Sequence, residues 1–195
     1  MFYKGKKMDG PSSSGTDLHG FGESVRTELE KRLPRSDVKA LDVGTGFATN
    51  VRFLARVLSQ GSLVWTLDPS AEVLNRARKL LKEDGLDRRV RFVRCGIEHV
   101  DVKDGFFDLV SSTMALHHLS DLHVAVAEMS RILTPGGKIL IADFGPESAQ
   151  ELRFGHLHGA ADFFDGEAVR AALRGRVTSL RKTGFGLWYL VEGTK

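Results

Sequence analysis

LDVGTGFATN, residues Leu41 to Asn50, joins a short apolar strand to a Gly-x-Gly turn and carries a carboxylate, Asp42, two residues before Gly44. In a Rossmann-type unit such a turn lets backbone N–H groups and a helix N-terminus approach a nucleotide closely. The carboxylate narrows the choice of nucleotide. A charge fixed about 5 Å from a pyrophosphate costs roughly 3 kcal/mol per charge pair at an effective dielectric near 20. The third glycine of G-x-G-x-x-G is also missing, because Thr49 stands in its place. A cofactor that carries cationic groups here and no phosphate fits better. S-adenosylmethionine, with its sulfonium and α-ammonium, is the candidate.

Outward from this turn, apolar strands alternate with amphipathic helices. The sequence predicts strands at about 38–43, 62–67, 89–95, 106–112 and 137–144. Between them Phe47, Val51, Leu54 and Leu58 recur at helical spacing, as do Val73, Leu74, Ala77, Leu80 and Leu81. A further helix carries Leu122, Ala125, Val126, Met129 and Leu133, with Ser120 as its expected cap and Pro135-Gly136-Gly137 as its stop. Upstream, Phe21, Val25, Leu29 and Leu33 predict a helix from about Gly20 to Pro34. Continuous apolar strands alternating with helices imply a parallel sheet buried on both faces. The chain closes with a helix near 165–174 and two strands, VTSLRKTG and FGLWYLVEG, turning near Gly184 as a hairpin.

The 195 residues make one domain, expected as a tail or lid at 1–19 followed by a single domain at 20–195. Lys and Arg number 28 against 25 Asp and Glu, so the net charge of +3 argues only weakly for a nucleic-acid partner. The single cysteine, Cys95, excludes an intramolecular disulfide, no Cys/His spacing resembles a zinc site, and a reducing cytoplasm is the expected compartment. No apolar run approaches the roughly 20 residues that span a bilayer, and the N-terminus shows no signal-peptide core. Residues 1–19 and about 145–164 lack a period yet carry Phe2, Tyr3, Leu152, Phe154, Leu157, Phe163 and Phe164. Both segments are expected to fold over the cofactor and enclose the acceptor.

The second strand ends in TLDPS, which places Asp68 at its tip, 22 residues after Gly46. An acid there accepts both ribose hydroxyls of a nucleoside, whichever nucleotide carries it; a helix N-terminal acid is the bland alternative. At this point the chain resembles the class I S-adenosylmethionine-dependent methyltransferases, particularly the small UbiE-like group. LDVGTG looks like their first motif, LDPSAEVL their second, FVRCGIEHV their third, FFDLVSSTMALHHLSD their fourth and LTPGGKILIADF their fifth-strand signature, in the family's order. The resemblance implies a Rossmann-like, seven-stranded mixed sheet of order 3-2-1-4-5-7-6, strand 7 antiparallel, helices on both faces and the cofactor over the carboxyl ends of strands one, two and four. It implies that Asp42 with the backbone of Gly44, Thr45 and Gly46 holds the methionine end, Asp68 and the adjoining Pro69 the ribose, and Ile97 the adenine, with Ser112 at the strand-four end. The family's usual adenine-binding acid is replaced here by Gly96, and either a neighbour such as Glu98 substitutes for it or apolar contact does.

Methyl transfer to a hydroxyl needs a base, and ALHHLSD puts His117 and His118 at the rim, with His118 the choice on the resemblance. The bland reading is that one histidine packs under the cofactor and the other caps the next helix. His156 and His158 offer a second imidazole source, without the further ligands a metal site needs. No Asn-Pro-Pro-Tyr motif or cysteine nucleophile for pyrimidine methylation occurs. Basic stretches at 88–94 and 174–182 read as solvated edges or as an RNA face. A small-molecule or lipid-like acceptor is therefore the leading expectation. The alternatives are an RNA or protein methyltransferase of the same fold, possibly with a partner subunit, and a catalytically silent binding module.

Overall fold

A computed structural model of the chain describes residues 18–146 and 163–195, with side chains from residue 22 onward. Most of the tail and of the 145–164 segment, with His156, His158 and the lid expected there, lies outside the described residues. The elements in chain order are α1 (Leu18–Glu30), β1 (Lys39–Val43), α2 (Thr49–Val57), β2 (Leu63–Leu67), α3 (Ala71–Glu83), β3 (Val90–Val93) and β4 (Phe107–Thr113). They continue with α4 (Leu122–Ile132), β5 (Leu133–Phe144), α5 (Gly166–Leu173), β6 (Thr178–Gly184) and β7 (Trp188–Thr194). The strands form one sheet of order β3-β2-β1-β4-β5-β7-β6. All pairs are parallel except β5 with β7 and β6 with β7, as the resemblance implied.

The strand pleat divides the core in two. Leu41 and Val43 face one layer with Val110, Ile139 and Met129, while Ala40 faces the other with Val51, Leu54, Ala77 and Leu81. Each fully buried leucine in these layers is worth about 1.5–3 kcal/mol against exposure. Buried Val25 and Leu29 bring α1 into the second layer, against α2. The sheet order puts both basic stretches at sheet edges. On β3, Arg91 lies 4.1 Å over the Trp65 ring, and Arg181 and Lys182 are exposed on β6, which blunts edges that would otherwise invite strand pairing.

Several boundaries differ from the sequence reading for local reasons. The cap of α4 is Asp121, not Ser120; its carboxylate accepts from the His123 and Val124 N–H groups at 2.8 and 3.1 Å. β5 begins at Leu133, directly after the helix, so Pro135-Gly136-Gly137 lies within an irregular start of the strand, where pairing shifts between Phe107 and Leu109. β3 is shorter than expected because residues 87–89 form a 3₁₀ turn.

Candidate active site

The turn after β1 is fixed by backbone geometry. Gly44 has φ +85°, and a Cβ there would collide with the Ala115 Cβ after β4, so glycine is required on both grounds. The Gly44 and Thr45 N–H groups donate to the Leu67 carbonyl at 3.0 and 3.1 Å, and the Gly46 N–H donates to Asp68 Oδ2 at 3.3 Å. Ala48 is left-handed at φ +63° and starts α2 late, at Thr49. Phe47 is consequently not on the helix face expected of it. It is 65% exposed, with the Arg76 guanidinium 4.9 Å above its ring.

Beneath the turn lies Asp42, fully buried. Its two oxygens accept from Asn50 Nδ2 and Thr66 Oγ1, each at 2.7 Å; Thr66 in turn meets Thr45 Oγ1 at 2.7 Å, and Asn50 reaches Ser111 Oγ at 3.3 Å. Burial, helped by the nearby Asp68 charge, pushes the Asp42 carboxyl up to about 7. Holding the proton more tightly than an ordinary carboxyl, Asp42 is a weaker source of the repulsion invoked against a pyrophosphate. Asp42 acts on the turn through Asn50 and the threonines and is not on the cleft wall.

That cleft, of about 460 Å³, opens between α1, the glycine turn and the end of β4. Val25, Leu29, Phe47 and Met114 give it an apolar wall, with Thr45, Asn50 and Thr113 as polar groups. The Thr113 hydroxyl is buried and has no hydrogen-bond partner among the described residues. On the neighbouring β2 end, half-buried Asp68 accepts from the Ser70 N–H at 2.9 Å as well as from Gly46, leaving lone pairs on both oxygens for incoming hydroxyls. Pro69 is exposed, its carbonyl accepting from Arg94. Ser112 is buried, its hydroxyl donating to the Val43 carbonyl at 3.4 Å, so its side chain braces β1 against β4.

After β3, Ile97 is buried, and its N–H donates to no group among the described residues. The space that a side chain on Gly96 would fill is taken by the Glu98 carboxylate, which folds back over the glycine. The loop that carries it is anchored below, where Glu128 accepts from the Val100 N–H at 2.7 Å and pairs with Arg131. This guanidinium holds the Glu128 carboxyl below its ordinary range.

At the other rim, a 3₁₀ turn at Leu116–His118 follows Met114, which is left-handed at φ +52°. Asp143, 1% exposed at the end of β5, organises this turn. Its carboxylate accepts from the backbone N–H groups of Leu116, His117 and Phe144, and His117 Nδ1 lies 2.7 Å from its Oδ1. An Nδ1–H donated to a carboxylate leaves Nε2 as the basic nitrogen. The His118 ring rests 4.2 Å from that of His117 and is exposed. Phe163, buried, packs at 5.3 Å against His117.

The structure thus gathers Gly44, Thr45 and Gly46 at one cleft, with Asp68 joined to it through the Gly46 N–H and Ile97 and the histidine pair on separate loops. Sequence reasoning missed Asn50, Thr66, Thr113, Asp143 and Arg26, which lines the cleft from α1. Asp143 had a signal, a carboxylate closing an apolar strand in ILIADF; Arg26 had none, since an arginine on a periodic helix reads as solvated. Among the described residues no cluster of three or more His, Cys, Asp or Glu could hold a metal, and no helix is long and apolar enough to cross a membrane.

The methyltransferase-domain family matches the chain over residues 41–141. The chain is 34% identical over 135 residues to methyltransferase GfsG of Streptomyces halstedii, covering 68% of this chain and 48% of that protein. It is 28% identical over 119 residues to the ubiquinone/menaquinone biosynthesis C-methyltransferase UbiE of Shewanella halifaxensis, covering 61% and 47% respectively. The chain spans about half the length of these relatives. A crystallised SAM-dependent methyltransferase from Aquifex aeolicus superposes with a TM-score of 0.71 at 19% identity, over 89% of this chain and 88% of the other, a likeness of fold.

Proposed function

This chain belongs to the methyltransferase-domain family, and we propose that it transfers a methyl group from S-adenosylmethionine to a small-molecule or lipid-like acceptor. The observation that carries the reading is the cleft at the carboxyl ends of β1 and β4, about 460 Å³ and apolar along α1, beside an acid-tipped β2. Ligand sites of open α/β sheets lie at this place, and the volume matches small-molecule pockets. UbiE, by its name, is a C-methyltransferase of ubiquinone and menaquinone biosynthesis, which supports a small-molecule acceptor here.

When bound, S-adenosylmethionine supplies an electrophilic methyl on a sulfonium, open to in-line displacement. The residues present fit it. Asp68 accepts ribose hydroxyls beside Pro69, while the Ile97 N–H and the Glu98 carboxylate present a donor and an acceptor to the edge of an aminopurine. The Gly44–Gly46 backbone, held from below by Asp42, meets the amino-acid end, and Ser112 holds β4 in register with β1. Asp143 fixes the His117 ring, and His118, tilted against it, takes a proton from acceptors that must lose one. Phe163 covers this imidazole against water. The single cysteine accords with a cytoplasmic location.

Methyl-labelled S-adenosylmethionine tests the acceptor class. With the protein, label is expected in solvent-extractable low-mass products when quinone-like or isoprenoid compounds are offered. Label in added RNA and none in small molecules would overturn this assignment in favour of the RNA reading.

A further inference from the structure

Adjoining the cleft, α1 and α2 enclose a second cavity of about 380 Å³, lined by Arg26, Thr49, Arg52, Phe53, Arg56 and Val57. Arg52 and Arg56 stand four residues apart on α2, where like charges on one helix face repel. Both meet the same acid. Asp84 Oδ2 lies 2.6 Å from Arg52 Nε and 2.8 Å from Arg56 Nη2. The Glu83 charge is felt by Arg52 but forms no ion pair with it. Arg26, from α1, makes no ion pair or hydrogen bond among the described residues. Three guanidiniums thus share one paired carboxylate, and the groove keeps a surplus of positive charge.

The donors of that surplus are open. Arg56 is 55% exposed and spends only Nη2 on Asp84, which leaves its Nε and Nη1 hydrogens for another acceptor. Phe53 and the exposed Val57 add apolar surface beside the arginines, and Thr49 adds a hydroxyl. Guanidinium forks match phosphoryl oxygens through paired, charge-assisted bonds, which a lysine cannot reproduce. The volume is that of a small-molecule pocket, more than a bare ion needs.

We propose that this α1–α2 groove binds an organic phosphate, with its phosphoryl oxygens on Arg26, Arg52 and Arg56 and its apolar part against Phe53 and Val57. The site lies apart from the glycine turn, and it does not depend on which acceptor is methylated. A soluble phosphate ester and the headgroup of an anionic lipid share this chemistry, and the experiment separates the two sources.

The test is calorimetric titration of the whole chain, in physiological salt, with phenyl phosphate, inorganic phosphate and S-adenosylhomocysteine. Wild type should bind one phenyl phosphate, about threefold or more tighter than inorganic phosphate, because the ring buries apolar surface. Arg56→Gln leaves Asp84 paired with Arg52. It should weaken phenyl phosphate roughly 10-fold or more, the usual worth of hydrogen bonds to a charged group, with thermal unfolding and S-adenosylhomocysteine affinity unchanged. Arg56→Lys should fall between, and Arg181→Gln, which removes an exposed charge on β6, should change nothing. Wild type that binds no phenyl phosphate would overturn the inference. Equal losses in Arg56→Gln and Arg181→Gln would overturn it too, because general surface charge would then account for the binding. Sedimentation with phosphatidylglycerol vesicles names the source. Capture that needs Arg56 and is competed by phenyl phosphate assigns the lipid headgroup, whereas phenyl phosphate binding without capture assigns a soluble ester.

Discussion

Replacing Asp42 by asparagine should make the stability of this protein less sensitive to pH, and the size of the effect follows from the burial of one carboxyl. Asp42 is fully buried, receives two neutral donors at 2.7 Å, and is pushed up from its ordinary 3.8 to about 7, burial being the main cause. Between those pH values the folded protein keeps a proton that the unfolded chain has released. The stability linked to this proton is whole below about pH 4 and is lost as pH rises through about 7. Roughly three units at 1.36 kcal/mol each give a swing of about 4 kcal/mol. Asparagine has the same shape, still accepts from Asn50 and carries no charge to bury. Urea unfolding of wild type and Asp42→Asn at pH 4, 5.5, 7 and 8 isolates the term, since other titrating groups cancel in the difference. The variant should gain on wild type by up to about 4 kcal/mol between pH 4 and pH 8. Parallel pH profiles would refute the reasoning, because Asp42 would then be ionised throughout.

Three further outcomes follow from other sites. Glu98→Gln should bind S-adenosylhomocysteine and its 6-oxo analogue with similar affinity, whereas wild type should prefer the amino form about tenfold or more, since one charge-assisted bond is at stake; equal preference in both proteins would remove Glu98 from the base site. His118→Ala should lower turnover by roughly 10²–10⁴ while cofactor affinity in calorimetry stays nearly intact, and equal turnover would return that histidine to a packing role. Gly44→Ala should lower stability by about 2 kcal/mol or more in thermal unfolding, because its φ is +85° and its Cβ meets Ala115; an unshifted transition would contradict the assigned turn.

The sheet was legible because each strand reads as an uninterrupted apolar run and each helix keeps a period near 3.6, so that burial on two faces is written into every segment. Asp68 and the glycines were legible for a similar reason: their roles depend on local backbone geometry, which spacing along the chain fixes. What the sequence hid depends on contacts across elements. Phe47 matches the helical period but stands outside α2, because Ala48 turns left-handed first. Asp143 lies 26 residues from His117, and nothing local reveals that the strand end and the turn after β4 meet. Glu98 fills the space of Gly96 only because the chain folds back after Ile97. Arg26 becomes a cleft residue through the packing of Val25 and Leu29 beside it, a fact of tertiary arrangement.

The central claim is that the cleft beside Asp68 is built for an adenosyl amino acid and not for a dinucleotide. Calorimetric titration of wild type and Asp68→Ala with S-adenosylhomocysteine and with NADH tests it most directly. Wild type should bind S-adenosylhomocysteine and not NADH, and Asp68→Ala should lose about 1.5–3 kcal/mol of that affinity with the hydrogen bonds to its carboxylate. NADH binding tighter than S-adenosylhomocysteine, or an Asp68→Ala variant that binds as well as wild type, would contradict the account.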